Sequence, residues 1–542
     1  MQPTPLWYKD AIFYELYIRA FKDSDGDGHG DIRGVIEKLD YLQDLGINCI
    51  WLLPMFPSPL KDDGYDVADF YNIHPDYGTL HDFKELVDEA HKRSIRVIAD
   101  LVLNHTSDQH PWFQEARKGP DNPKHDYYVW SDTQDKYQDA RIIFLDTEDS
   151  NWSWDEEAKR YYWHRFYSSQ PDLNYDNPEV QDAMMHVAKF WLDLGVDGFR
   201  CDAIPYLIER EGTNCENLPE THLYLKKLRQ FVDENFPDSI LLSEANQWPE
   251  DVREYFGEGD EMHMAFHFPI MPRLFMAMRR EDTTPIREIL ERTPEIPPNA
   301  QWCTFLRNHD ELTLEMVTEE ERQWMWEQYA PEPRMRLNLG IRRRLAPLLD
   351  NDFRKITLAN SLLFTLPGSP ILYYGDEIGM GDDIWLEDRN GVRTPMQWSK
   401  GNQAGFSPSA TAYSPVIDSA PYDPTHVNVE DQMSDLASLY YVTKNMIAMR
   451  KTHRAFGWGS FEWANTSHPT QVAAYYRRHE GEELLILNNL SSQEIDLWVE
   501  IPDRPLFFPP PNLFTGRATG ELVDGRLSLK LAGHGYEWLK LT

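Results

Sequence analysis

Cysteine is scarce, with only Cys49, Cys201, Cys215 and Cys303 in 542 residues. Three of them sit inside apolar, strand-like runs, where a free thiol behaves as a small buried hydrophobe. None has the paired spacing of a metal site, and nothing suggests a disulfide framework. Positive charge is scarce too. Lys and Arg number 53 against 90 Asp and Glu, a formal net charge of −37, so nucleic acid and anionic membrane surfaces are poor partners. An acidic balance is compatible with a neutral small-molecule substrate. No stretch approaches the roughly 18 apolar residues that a membrane-spanning helix needs. The opening Met1-Gln-Pro-Thr-Pro-Leu-Trp-Tyr-Lys9 lacks a basic region followed by an apolar run. Internal repeats, low-complexity tracts and long linkers are also absent. These absences lead to the expectation of a soluble, cytoplasmic protein; self-association is left open.

What is present is length, aromatics and polar-ended apolar runs. The chain is long enough for a large barrel plus one or two smaller domains. Aromatic residues make up 13%, with 18 Trp and 27 Tyr; large cores account for most of them, and sugar faces also stack on such rings. Four runs begin apolar and end in residues that carry chemistry: Ile98-Ala-Asp100-Leu-Val-Leu-Asn104-His105, Asp197-Gly-Phe-Arg200-Cys-Asp202, Ile240-Leu-Leu-Ser-Glu244 and Trp302-Cys-Thr-Phe-Leu-Arg307-Asn-His309-Asp310. In a strand, Arg200 and Asp202 point the same way, and a guanidinium beside a carboxylate favours its ionised form. Alone, that pair is better read as a structural ion pair. Functional side chains at the C-terminal ends of successive strands are what a (β/α)8 barrel produces.

Upstream, Asp23-Ser-Asp25-Gly-Asp27-Gly-His29-Gly-Asp31 places carboxylates at alternate positions with glycines between. Ca²⁺ takes several oxygen ligands from one tight loop, and glycine permits the turns. The loop reads as a calcium site, with a solvated acidic turn as the alternative. It lacks the distal Glu of a helix–loop–helix calcium site.

In order and content, the four polar-ended runs resemble the four sequence regions of the α-amylase family of glycoside hydrolases and transferases, and the resemblance spans nearly the whole chain. It implies a (β/α)8 TIM barrel over 1–104 and 179–454, an inserted small domain over 105–178, and a C-terminal antiparallel β-sandwich over 455–542. Residues 105–178 are too long for an ordinary βα loop and crowded with Trp, Tyr, Asp and Pro; short alternating strands follow from about 455.

The resemblance also implies roles. Asp202 would be the nucleophile, Glu244 the general acid/base, its pKa raised by desolvation at an apolar strand end, and Asp310 the stabiliser of an oxocarbenium-like transition state beside His309. Arg200 would hold Asp202 ionised. Asp62 would grip sugar hydroxyls, Tyr65 would stack on the ring, and His105, otherwise a plain core histidine, would bond a primary hydroxyl. Arg393, in Gly391-Val-Arg393-Thr-Pro-Met-Gln-Trp398, would face the pocket. His29 would offer its carbonyl to the first calcium. Asn104 and Asp172, the latter in Gln170-Pro-Asp172-Leu-Asn174, would meet at a second, completed by the carbonyls of Tyr206 and Leu207 and by Glu209. Calcium is thus expected as a structural ion, without an organic cofactor.

Two details resemble the members that isomerise maltose to trehalose: Ser243-Glu244-Ala-Asn-Gln-Trp-Pro249 and Leu306-Arg307-Asn-His-Asp310-Glu-Leu-Thr-Leu-Glu315. An exo-acting α-glucosidase, with water as acceptor, would use the same catalytic residues and is the alternative. A non-catalytic relative, such as an ectodomain partner of a membrane transporter, would have lost one or more of the three carboxylates and would carry an anchor. The inserted domain, the Arg393 loop and a segment over 311–350 are the expected pocket closures. That segment has a surplus of basic residues, Arg342-Arg-Arg344 among them, suited either to docking on acidic loops or to a solvated helix face.

Overall fold

The computed structural model describes residues 6–501 and 508–542; the first five residues expected in the barrel and six of those expected in the sandwich lie outside them. Eight parallel strands close a barrel: β1 (Phe13–Leu16), β2 (Cys49–Leu52), β3 (Arg96–Val102), β4 (Gly198–Asp202), β5 (Ile240–Ser243), β6 (Met264–Phe266), β7 (Gln301–Phe305) and β8 (Ser369–Tyr373). Each pairs with its sequence neighbours, and β8 closes on β1. Every residue of β3, β4 and β7 is buried. Helices outside and side chains inside bury both faces, which is why these strands read as apolar runs rather than as alternations.

The helices start and stop where local chemistry directs. Thr79 caps Leu80–Lys92 with a reciprocal box to Asp82, which satisfies free N–H groups at the first turn. Gly195 ends Pro178–Leu194 at φ 107°, a left-handed conformation that costs glycine little. The single helix expected from Ile32 to Leu45 is two, Ile32–Glu37 and Leu39–Leu45, because Lys38 leaves helical angles at φ −103°, ψ 2°.

Two insertions rise from the C-terminal end of the barrel. Between β3 and β4, Trp130–Ser131, Trp152–Asp155 and Arg160–Trp163 form a small antiparallel sheet. A bridge between His105 and Asp172 draws the insertion's two ends together just after β3, and a second joins Tyr128 to Leu173 within it. Between β7 and β8, Leu312–Thr313, Gly340–Ile341 and Arg336–Leu337 form a second, with the helix Glu319–Tyr329. After the barrel come a four-stranded and a three-stranded antiparallel sheet. On the strand Val472–His479, Val472, Ala474 and Tyr476 join the core between these sheets, while Ala473 and Tyr475 join the barrel core. A period of two thus buries one face against each neighbour. No described helix is long and apolar enough to cross a membrane.

Candidate active site

The strand ends converge on Arg200. Its position opposite Asp100 on β3 and Leu242 on β5 sets the guanidinium, 1% exposed, among three carboxylates. Nη1 lies 2.6 Å from Asp100 Oδ1 and 2.6 Å from Asp202 Oδ1, and Nη2 lies 2.8 Å from Glu244 Oε1. Nη1 also donates to the Tyr65 hydroxyl at 3.2 Å. Directly after β4, Ala203 sits at φ 52°, ψ 32°, a conformation rare for a residue with a Cβ. Its N–H donates to Glu244 Oε2 at 3.0 Å.

Arg200 is thus one cation facing three acids, and its support of Asp202 is shared with Asp100 and Glu244. Burial pushes the Asp202 carboxyl well up; Arg200 opposes this, while Glu244 and Asp100 add to it. Asp202 and Glu244 are held side by side by that one guanidinium. Asp310 is the opposite case. Burial works to raise it, but His309, Arg389, Arg393 and Arg200 outweigh burial and hold it well below the usual carboxylate range. Burial holds His309 itself neutral, so the charges that fix Asp310 are the arginines. Arg389 Nη1 and Arg393 Nη2 each lie 2.9 Å from its Oδ1, and His309 Nε2 is 3.2 Å from Oδ2.

The pocket above is lined by Asp62, Tyr65, His105, Asp202, Glu244, Asp310 and Arg389 on the barrel side. Ile143, Phe144 and Phe166 of the first insertion and Glu311, Thr313 and Glu315 of the second supply the facing wall, with Asn246 and Phe268. Tyr65 stacks on His309, with ring centroids 5.5 Å apart, and its hydroxyl meets Nε2 at 2.9 Å. His105 is kept neutral, pushed down to about 3 by burial, and its Nε2 has no partner, which leaves a polar atom for a hydroxyl. Across the mouth, Arg141 lies 3.0 Å from Glu315, and Asn246 donates to Glu315 at 3.2 Å.

Arg393 is a correction. It does not line the pocket; it sits one layer behind, donating from Nε to the His309 carbonyl at 2.8 Å and pairing with Asp63 and Asp310. The pocket arginine is Arg389, which bridges Asp62 at 2.7 Å and Asp310. Its signal was in the sequence, four residues ahead of Arg393 in Asp388-Arg389-Asn-Gly391. Asp100, Gln170, which donates to Asp62 at 2.9 Å, and the aromatic wall were also missed.

The metal expectations divide. Asp23, Asp25 and Asp27 come together as one cluster. Asp31 is drawn out of it: its carboxylate caps the Ile32 helix through Gly34 N–H and accepts from the N–H and hydroxyl of Ser24. The His29 ring pairs with Asp27 at 3.5 Å. At the second position, Asn104 Oδ1, Asp172 Oδ2 and Glu209 Oε1 are all buried without a hydrogen-bond partner. Burial pushes Asp172 up to about 8, and Glu209 is raised by burial and then by Asp172. Three orphaned hard oxygens, two of them acidic, fit a calcium-sized cation. Tyr206 and Leu207 are buried two or three residues before Glu209. Chelation is expected to lower Tm by several degrees, with recovery on added Ca²⁺; a melting curve unmoved by chelator would contradict metal at either position.

Comparisons agree with this geometry. The model of the α-amylase catalytic domain matches residues 15–331 and 341–459. A trehalose synthase/amylase, TreS, of Mycolicibacterium smegmatis is 56% identical over 99% of this chain and 92% of its own. A trehalose synthase of a Pimelobacter species is 54% identical over 99% of this chain and 96% of its own. Among solved structures, the trehalulose synthase MutB of Pseudomonas mesoacidophila aligns with a TM-score of 0.79 at 27% identity, covering 99% of this chain and 100% of that one. With the family's catalytic model matched across most of its length and relatives more than half identical from end to end, this chain belongs to the α-amylase family and groups with its trehalose synthases.

Proposed function

We propose that the chain isomerises maltose to trehalose by moving one glucosyl unit from O4 to O1 of the same partner glucose. One observation carries the chemistry: a single guanidinium binds both Asp202 and Glu244. Carboxyls that close suit a retaining pair rather than the roughly 6.5–9.5 Å separation of an inverting one. Glu244 gives its proton to the glycosidic oxygen as Asp202 attacks the anomeric carbon, so the C–O bond breaks and a covalent glucosyl-Asp202 forms. The freed glucose turns in place. Its anomeric hydroxyl displaces Asp202 and returns a proton to Glu244, so nothing is gained or lost overall. Asp310, held ionised by the arginines, offsets the positive charge of both transition states.

Transfer rather than hydrolysis is supported by the likeness to trehalose synthases and by the Arg141–Glu315–Asn246 contact, which joins the two insertions over the pocket and restricts water. Water that does enter yields glucose as a minor product. Calcium held by Asn104, Asp172 and Glu209 would be structural, bracing the first insertion against the barrel. A reducing cytoplasm suits the four unpaired thiols. Incubation with maltose should give trehalose as the main product, and trehalose should return maltose; glucose alone would favour an α-glucosidase.

A pH effect follows from Asp62. Burial pushes it up to about 6, with Arg389 and Arg393 opposing. A carboxylate that accepts sugar hydroxyls works ionised, so kcat/KM on maltose falls as pH drops through about 6. Arg389→Ala removes an opposing cation, so the Asp62 pKa rises and the acid limb moves to higher pH, by on the order of one unit. An unmoved limb in the pH profile of that variant would separate Arg389 from Asp62.

A further inference from the structure

The two walls of the pocket are carried by different segments, and one small sheet joins them. Leu312–Thr313, which brings Glu311, Thr313 and Glu315 to the facing wall, pairs with Gly340–Ile341. That strand runs directly into Arg342-Arg343-Arg344. The three guanidiniums turn outward to the loop after β8 that carries Arg389. They were expected either to dock on acidic loops or to be solvated; they bind carbonyls more than acids. Arg342, 7% exposed, donates from Nη1 to the carbonyls of Leu386, at 2.7 Å, and Asp388, and from Nη2 to that of Ile384 at 3.1 Å. Its Nε holds the Arg334 carbonyl at 2.5 Å. Arg343 pairs with Asp382 at 2.9 Å, and Arg344 donates to the carbonyls of Val392 and Tyr374.

Beyond these, the loop is held by Arg334, which donates to the Trp385 carbonyl at 3.1 Å and pairs with Glu387 at 3.4 Å, and by the Tyr167 hydroxyl on Asp388 at 3.5 Å. No side chain from Asp383 to Asp388 is buried, and Trp385 is 66% exposed. Apolar burial, the usual anchor of a segment, is therefore small here. Three alternate carbonyls gripped by one rigid fork of donors define the loop instead. The residue that follows the last of them is Arg389, which spans Asp62 and Asp310 at the glucose-binding end.

We propose that Arg342 is a positioning residue that couples the facing wall to Arg389, and that it sets how often the glucosyl-enzyme is lost to water. The inference rests on the isomerase reading above. With Arg342 in place, the wall that retains the freed glucose and the arginine that grips the bound glucosyl unit belong to one rigid unit. Without it, the loop swings while the sheet stays, and water enters between them. Arg342→Ala should raise the ratio of glucose to trehalose formed from maltose about tenfold, with the initial rate of maltose cleavage falling less than about tenfold. A purely structural role would lower both products together and leave the ratio alone. Arg342→Lys keeps the charge but cannot span three carbonyls, so it should shift the ratio in the same direction; it also serves if the alanine variant does not fold. The wild type is measured alongside. A wild type that yields only glucose overturns the isomerase reading and this inference with it. A wild type that yields trehalose, with an unchanged ratio in the variants, overturns this inference alone.

Discussion

Asp202→Asn is expected to abolish maltose turnover, by about 10⁵-fold or more, with the fold intact. The amide fills the same volume but cannot form an ester with the anomeric carbon. Stability should hold or rise slightly. Burial and two neighbouring acids already make the Asp202 charge costly, and the substitution removes that charge from beside Glu244 and Asp100. A melting curve read next to the rate separates the two effects. Turnover within tenfold of wild type would remove Asp202 from the chemistry.

Glu244→Gln is the second large effect, and its size should depend on the leaving group. Expulsion of a sugar oxygen needs a proton, so maltose turnover should fall about 10³- to 10⁴-fold. A nitrophenyl α-glucoside leaves without one, and its first step should be nearly spared. The second step still lacks its base, so the glucosyl-enzyme should accumulate, visible as a protein one glucosyl unit heavier by mass spectrometry. Equal losses on both substrates would show that Glu244 is not the proton donor.

Much of this was legible because a barrel strand is buried on both faces and then stops abruptly at chemistry. Ile98 to His105 and Gly198 to Asp202 announce both facts in a few residues. What was not legible has a common cause: it depends on counting neighbours from distant segments. Arg200 beside Asp202 suggests an ionised carboxylate, yet burial opposes that charge, and Glu244 and Asp100, arriving from the end of β5 and from β3, add to the opposition. Asp100 itself looked like one more residue of an apolar strand. Arg389 and Arg393 lie four apart in one loop, and only the path of the chain after β8 decides which of them meets the pocket. The strands of the second insertion are two residues long, too short for any period to register. Asp31 shows the same limit at a smaller scale, since alternation fits a calcium loop and a helix cap equally well.

The central claim is that glucose changes partners without leaving the site. It is tested most directly by supplying maltose together with an excess of ¹³C-labelled free glucose and reading the trehalose by mass spectrometry. Intramolecular transfer predicts unlabelled trehalose at early times, with label confined to the free glucose pool. Trehalose carrying label in one half, in proportion to the label supplied, would mean that the freed glucose escapes and is recaptured, and would contradict the account.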